Sequence, residues 1–269
     1  MLKFFRTIRK KLIKQDTVQK PTSSAGKYLL YALGEILLVV MGILIALQVN
    51  TWNENKVLKR QEKVYLKLLK DDLSLQLEEN QLQHSFLVKF KEDEERLTEF
   101  LAKRFQVEET QRPEVKLILT KLVIGRTYGI YDATYLDLTS SGNLVLISDQ
   151  VLKNKIIQHY QIQHRDRNVI NNNELNTFKE LWTKLVDRNV LLLNPRFNEL
   201  LSGNRLLEQD PRIGFLDKIY FKNLAEENNL ILIRNVMAYK IASTTIGLSF
   251  LEESNIRIAE LMSEIEPEL

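Results

Sequence analysis

Residues 28–49 read YLLYALGEILLVVMGILIALQV, and this stretch decides the fold. Its 22 residues include two strongly polar members, Glu35 and Gln48. As a helix rising about 1.5 Å per residue it extends roughly 33 Å, enough for a hydrocarbon core of about 30 Å. Tyr28, Tyr31 and Trp52 lie near its ends, where amphipathic rings favour the headgroup level. The reading is a transmembrane helix over 28–49. A cleaved signal peptide fits less well, because the apolar stretch outruns an ordinary signal core and ALQVNTW (46–52) lacks small residues at both cleavage-determining positions.

On the N-terminal side, residues 1–27 carry eight Lys or Arg and one acid, Asp16, whereas the whole chain of 269 residues has a net charge of +3. A basic head is therefore joined to a mildly acidic body. The segment LKFFRTIRKKLIK places Leu2, Phe4, Phe5, Ile8, Leu12 and Ile13 on one half of a helical wheel with most basic residues opposite, the pattern of an interfacial helix on anionic lipid. Positive charge on the short tail predicts an N-terminus in the cytoplasm and a body outside it, periplasmic in a two-membrane bacterium. Lys56, Lys59, Arg60 and Lys63 also follow the span closely, but they belong to a long domain to which the charge rule applies weakly. Nucleic acid is not an expected partner, since the excess positive charge is absent from the folded body. Zero cysteines exclude disulfides, thiolate metal sites and cysteine nucleophiles in this chain.

Beyond the span, residues 43–112 contain neither glycine nor proline, which marks a long helix interior. Leu58, Tyr65, Leu69, Leu73, Leu77, Leu82, Phe86, Phe90, Leu97 and Leu101 recur mostly at spacings of four and seven. The membrane helix is thus expected to run on as a stalk over 50–110, with a coiled-coil-like seam. Asp71, Asp72, Glu78, Glu79 and the block Glu92, Asp93, Glu94, Glu95 read as a solvated face. No histidine stands beside them at metal-ligand spacing.

The body, 111–269, is expected to be a helical bundle. Pro113 suits the first turn of a helix over 114–124. Asp132 and Gly142 would bound a short helix, and Ser148 or Asp149 would open a long one through Tyr160, Leu181 and Leu185. The segment 190–209 reads as loop, and Asp210 with Pro211 as the start of one final helix towards Ile265. Residues 230–251 are apolar but hold Arg234 and Lys240, so they read as a buried bundle helix rather than a second span. The fold class is all-α: one N-terminal transmembrane helix continuing into a long helical stalk and an extramembrane helical bundle.

Two groups of residues stand out. At about 100° per residue, Tyr31, Glu35, Gly42 and Ala46 share one face of the span, within roughly 40° of Glu35. Small residues four apart let helices approach, and a protonated Glu can hydrogen-bond across them, so this face reads as a surface for association. In the body, Tyr128, Tyr131, Asp132 and Tyr135 form either a bundle core with capping or a ligand-stacking cluster, Tyr131 and Tyr135 being four apart. No catalytic motif or phosphate-cradling glycine loop occurs, and His159 and His164 are not at ligand spacing, so no catalytic residue, cofactor or metal is expected.

FFRTIRKKL (4–12), GKYLLYALGEILLVVMGILIALQVNTWNE (26–54) and TYLDLTSSGNLVLISD (134–149) together resemble an uncharacterised family, a domain of unknown function, of single-pass inner-membrane proteins from Bacteroidota. The resemblance implies location in that membrane and supplies no activity, ligand or catalytic residue. The expected function is that of a membrane-anchored, non-enzymatic interaction or scaffold protein. Its partners would be membrane lipid and either further copies of itself or another membrane protein. The alternative is a sensor or ligand-binding periplasmic ectodomain that signals through a partner.

Overall fold

The computed structural model describes residues 24–122, 125–191 and 214–269, with the backbone alone described for 24–27, 30, 174–179 and 182. The basic head before Ser24, most of the 190–209 loop and the Asp210–Pro211 start signal lie outside the described residues. The elements are α1 (Ser24–Ala102), α2 (Arg112–Lys121), α3 (Ala133–Ser140), α4 (Gln150–Asp187), α5 (Phe215–Leu224) and α6 (Glu227–Ile265). Short 3-10 turns occupy Glu109–Gln111, Asn143–Leu146 and Glu266–Glu268. Among the described residues there is no strand, so the all-α expectation holds.

The absence of glycine and proline after Gly42 has the expected result, since α1 is a single helix of 79 residues. It ends without either breaker. Arg104 and Phe105 take left-handed φ values of 50° and 55°, Phe105 N–H bonds to the Phe100 carbonyl at 2.9 Å, and the Phe105 ring is buried. A left-handed non-glycine residue costs energy, which burial of the ring offsets.

The chain divides into two compact units, 1–60 and 61–269. Within the first, the described part of α1 is apolar and long enough to cross a membrane, and none of its apolar window is buried. The side chains described from Tyr31 to Asn50 are all exposed. Much of the expected stalk falls in the second unit, where its inner face is part of a bundle core rather than a free rod.

That unit has two large apolar clusters. One gathers Phe90, Leu97 and Phe100 of α1 with Val115, Ile118 and Leu119 of α2, Leu185 of α4, Tyr220 and Leu224 of α5, and Ile233 and Val236 of α6. The other gathers Leu66, Leu69 and Leu73 of α1 with Leu138 of α3, Leu152, Ile156 and Tyr160 of α4, and Ile258, Leu261 and Ile265 of α6. Residues 230–251 therefore lie in a bundle helix, with Ile233, Val236, Met237, Thr244, Gly247 and Leu251 buried.

Several boundaries follow their signals. Asp149 caps α4, its carboxylate accepting from the Val151 and Leu152 amides. Gly142, with φ of 75°, lies just past α3. Pro113 sits in the first turn of α2, which runs over 112–121 rather than 114–124. The single final helix does not form. It is broken at Ala225 and Glu226 into α5 and α6, because Asn223 donates to the Arg188 and Asn189 carbonyls while Asn229 donates back to the Asn223 carbonyl at 2.8 Å.

Candidate functional site

Between the two apolar clusters each long helix turns polar. On α1 the change comes at Gln76, Asn80 and Gln83, after Leu73 and before Phe90. On α4 it comes at Gln163 and Asp166, after Tyr160, and on α6 at Ser254, before Ile258. All six are buried. Spacings of three, four and seven keep them on the inward faces.

Against this layer runs a non-helical segment, 125–132, in which Tyr128 is buried and Gly125, Thr127, Gly129 and Tyr131 are exposed, and whose peptide groups have no helix or sheet to satisfy them. Side chains do so instead. Gln83 donates to the Arg126 carbonyl at 3.3 Å. Asn171 accepts from Tyr128 N–H at 2.8 Å and donates to its carbonyl at 3.3 Å. Gln76 accepts from Tyr131 N–H at 2.8 Å and donates to the Gly129 carbonyl at 3.4 Å. Asp72 then accepts from Thr134 N–H at 2.9 Å, taking the part that Asp132, whose own side chain makes no cap, does not play. Each bond pairs a peptide group for which the segment itself has no helix or sheet partner.

Tyr128 stands at the centre. Its hydroxyl lies 2.9 Å from Asn80 Oδ1 and 3.0 Å from Gln163 Oε1, and Gln76 Nε2 donates to it at 3.2 Å. Ser254 Oγ accepts from Gln163 at 2.7 Å and from Asn80 at 3.1 Å, closing the network onto α6. Burial pushes the Tyr128 hydroxyl up to about 12, so it is a neutral donor throughout the physiological range.

The four candidate residues of this region are not one cluster. Tyr128 is core. Tyr131 is 41% exposed and precedes α3, so its spacing of four from Tyr135 has no helical meaning. Tyr135 stacks on Tyr160 with ring centroids 4.4 Å apart, and Asp132 pairs with His164 at 3.2 Å. In the first unit, Glu35, Gly42 and Ala46 are exposed on α1, as is Tyr31, and a Cβ placed on Gly42 would meet nothing within 4 Å.

The acidic residues read as a solvated face are more mixed. Asp72 anchors Thr134, Glu79 pairs with Arg126 at 3.0 Å, and Asp93 pairs with Lys121 at 2.8 Å. Glu94 is 5% exposed, and its Oε1 has no hydrogen-bond partner among the described residues. Burial raises its carboxyl to about 7, against the opposing pull of Lys240 and Lys91. Sequence periodicity signalled this, because Glu94 lies four residues after Phe90 and three before Leu97.

A second set of titratable groups joins α4 to α6. Asp166 bonds to Arg165 at 2.8 Å and faces Arg257 at 3.6 Å. His159, 2% exposed, packs edge-on against Tyr160, and burial with the nearby Arg257 charge lowers it to about 4. Tyr, His, Asp and Arg therefore converge, yet in packed protein. The cavity described beside them, about 20 Å³, is lined by none of the four. Pockets for organic ligands run to about 300 Å³ or more.

The class defined here is an all-α protein with one exposed apolar helix and a bundle held by a buried polar layer. A family of unknown function (DUF6090) matches residues 35–181, just over half of the chain, and the protein belongs to that family. The match takes in Glu35, Gly42 and Ala46, the polar side of α1 and the Tyr128 segment, and leaves Tyr31 outside it. No curated protein and no solved structure matches the chain.

Two outcomes are expected. Tyr128→Phe leaves the buried Gln163 Oε1 without a donor, Asn80 Oδ1 keeping the Gln76 amide, and lowers unfolding free energy by about 1–3 kcal/mol, measured by denaturant titration at pH 7. The two shifted groups act oppositely with pH. His159 binds its proton more weakly in the folded state, so it withdraws stability as pH falls from 6.5 to 4, and the stability of His159→Gln relative to wild type rises over that fall. Glu94 binds its proton more tightly in the folded state, so it withdraws stability as pH rises from 4.5 to 7, and Glu94→Gln gains on wild type over that rise. Thermal melts across pH 4–8 read both differences.

Proposed function

We propose that this protein is a single-pass, membrane-anchored helical interaction protein, a scaffold or accessory subunit without catalytic activity, that associates with copies of itself or another membrane protein. The observation that carries the reading is the wholly exposed apolar stretch of α1, together with the open surface at Gly42. An unburied apolar helix of this length needs lipid or a protein partner to cover it. Glu35 inside such a stretch is costly in lipid alone and favours a partner that shares its proton or hydrogen bond.

A stripe in the folded unit supports association through the stalk. Val64, Leu68, Leu75 and Leu82, at spacings of four, seven and seven, are all more than 40% exposed on α1, on a side away from the buried residues of the bundle. Such a stripe suits a coiled-coil-like seam with a second helix.

For location we propose the inner membrane of a Bacteroidota cell, with the basic head in the cytoplasm, where it meets anionic lipid, and the body in the periplasm. The excess of basic residues in 1–27 supports this orientation. Protease added to intact spheroplasts is expected to remove a C-terminal tag, and a surviving tag would reverse the assignment.

Association is tested by cysteine cross-linking in native membranes, which the absence of native cysteine makes clean. A cysteine at Leu75 or Leu82 is expected to give dimers or a single foreign adduct, whereas one at Asn154, exposed on α4, gives neither. Glu35→Leu should weaken the signal of a membrane two-hybrid assay severalfold. An unchanged signal removes the Glu35 face from the interface.

A further inference from the structure

We propose that a small cavity between α1 and α6, beside the 125–132 segment, is a binding site for one structural water molecule. Its walls include Gln83 and Phe90 of α1, Arg126 of the segment, and Lys240, Thr244 and Gly247 of α6. Its volume is about 20 Å³, room for one water, which needs at least about 10–15 Å³ by the same measure. Gly247 helps keep the helices close, since a Cβ there would stand 3.1 Å from Leu87 Cδ1.

The ligand class follows from what the walls lack. Gln83 is 2% exposed and its Nε2 is committed to the Arg126 carbonyl, but its Oε1, buried, has no hydrogen-bond partner among the described residues. An unpaired buried amide oxygen costs about 1–3 kcal/mol, so the site calls for a donor. An anion offers none and would face Oε1. A small cation would call for carboxylate ligands, and none lines the cavity. A hydrocarbon fragment would leave Oε1 unpaired. Water can donate to Gln83 Oε1 while the Thr244 hydroxyl and the basic walls supply further polar contacts, within the two to four that a buried water takes. So bound, it links the amide that holds Arg126 to α6.

The test uses the full chain, deuterated, in lipid nanodiscs, with protonated Gln side-chain amides and Thr methyls. Water-selective NOE and ROE spectra are expected to show cross-peaks to the Gln83 amide and the Thr244 methyl, with the sign of a water resident for longer than nanoseconds. In Gln83→Leu the Thr244 cross-peak is expected to vanish. Absence of both cross-peaks in the wild type overturns the proposal, whatever the folding of the variant. A Thr244 cross-peak that persists in folded Gln83→Leu overturns the assignment of Gln83 as the anchor.

Discussion

A non-helical segment that sets one buried side chain, Tyr128, into a helical bundle brings peptide groups that no helix or sheet can pair, and buried side chains of the bundle meet that demand. The segment 125–132 meets it through the side chains of Gln76, Gln83 and Asn171, with Asp72 holding the start of the next helix. Each such bond contributes about 0.5–1.5 kcal/mol net, less than a well-buried leucine. The two apolar clusters therefore supply most of the driving force. The polar layer supplies register, because sliding α1 by one turn would replace Gln76 opposite Gly129 and Tyr131 with Asp72 or Asn80, neither of which offers the same reach.

This division of labour explains why the layer tolerates several buried atoms without partners. His159 Nδ1, Tyr160 Oη and Arg257 Nε are buried and unpaired among the described residues, and they lie on the facing helices α4 and α6. Apolar packing on either side, through Tyr160 and Ile156 to Ile258 and Leu261, holds the helices at a separation that these polar atoms do not choose for themselves. His159 stays neutral there because burial penalises the charged ring and the nearby Arg257 charge adds to that penalty.

What the sequence made legible follows from how strongly each residue type constrains the backbone. An apolar run with two polar members, and a stretch from 43 to 112 free of glycine and proline, leave little alternative to one long helix. Asp149 and Gly142 act through their immediate neighbours, so their roles could be read locally. The polar layer could not. Gln76, Asn80, Gln83 and Gln163 read as surface residues, and only their placement in the i, i+3, i+4, i+7 rows of Leu66, Leu69 and Leu73 on α1, and of Ile156 and Tyr160 on α4, betrays burial. Glu94 was concealed by its acidic neighbours in the same way. The break at 225–226 has no glycine or proline either. It depends on Asn223 reaching carbonyls at 188 and 189, a contact about 35 residues away that no local pattern encodes.

The same reasoning bears on what kind of protein this is. Convergence of Tyr128, His159, Asp166 and Arg257 would suggest chemistry if they met in a cleft, since shifted titrations cluster at reactive sites. Here each shift has burial as its leading cause, and the cavity opens onto none of these groups. Surface, by contrast, is where the chain departs from an ordinary soluble bundle: an uncovered apolar helix in one unit and an exposed leucine row at seven-residue spacing in the other. An apolar helix left uncovered by its own chain, and a leucine row exposed on a folded bundle, are surfaces that lipid or a further helix would cover, which is the physical content of the assembly role proposed for the protein.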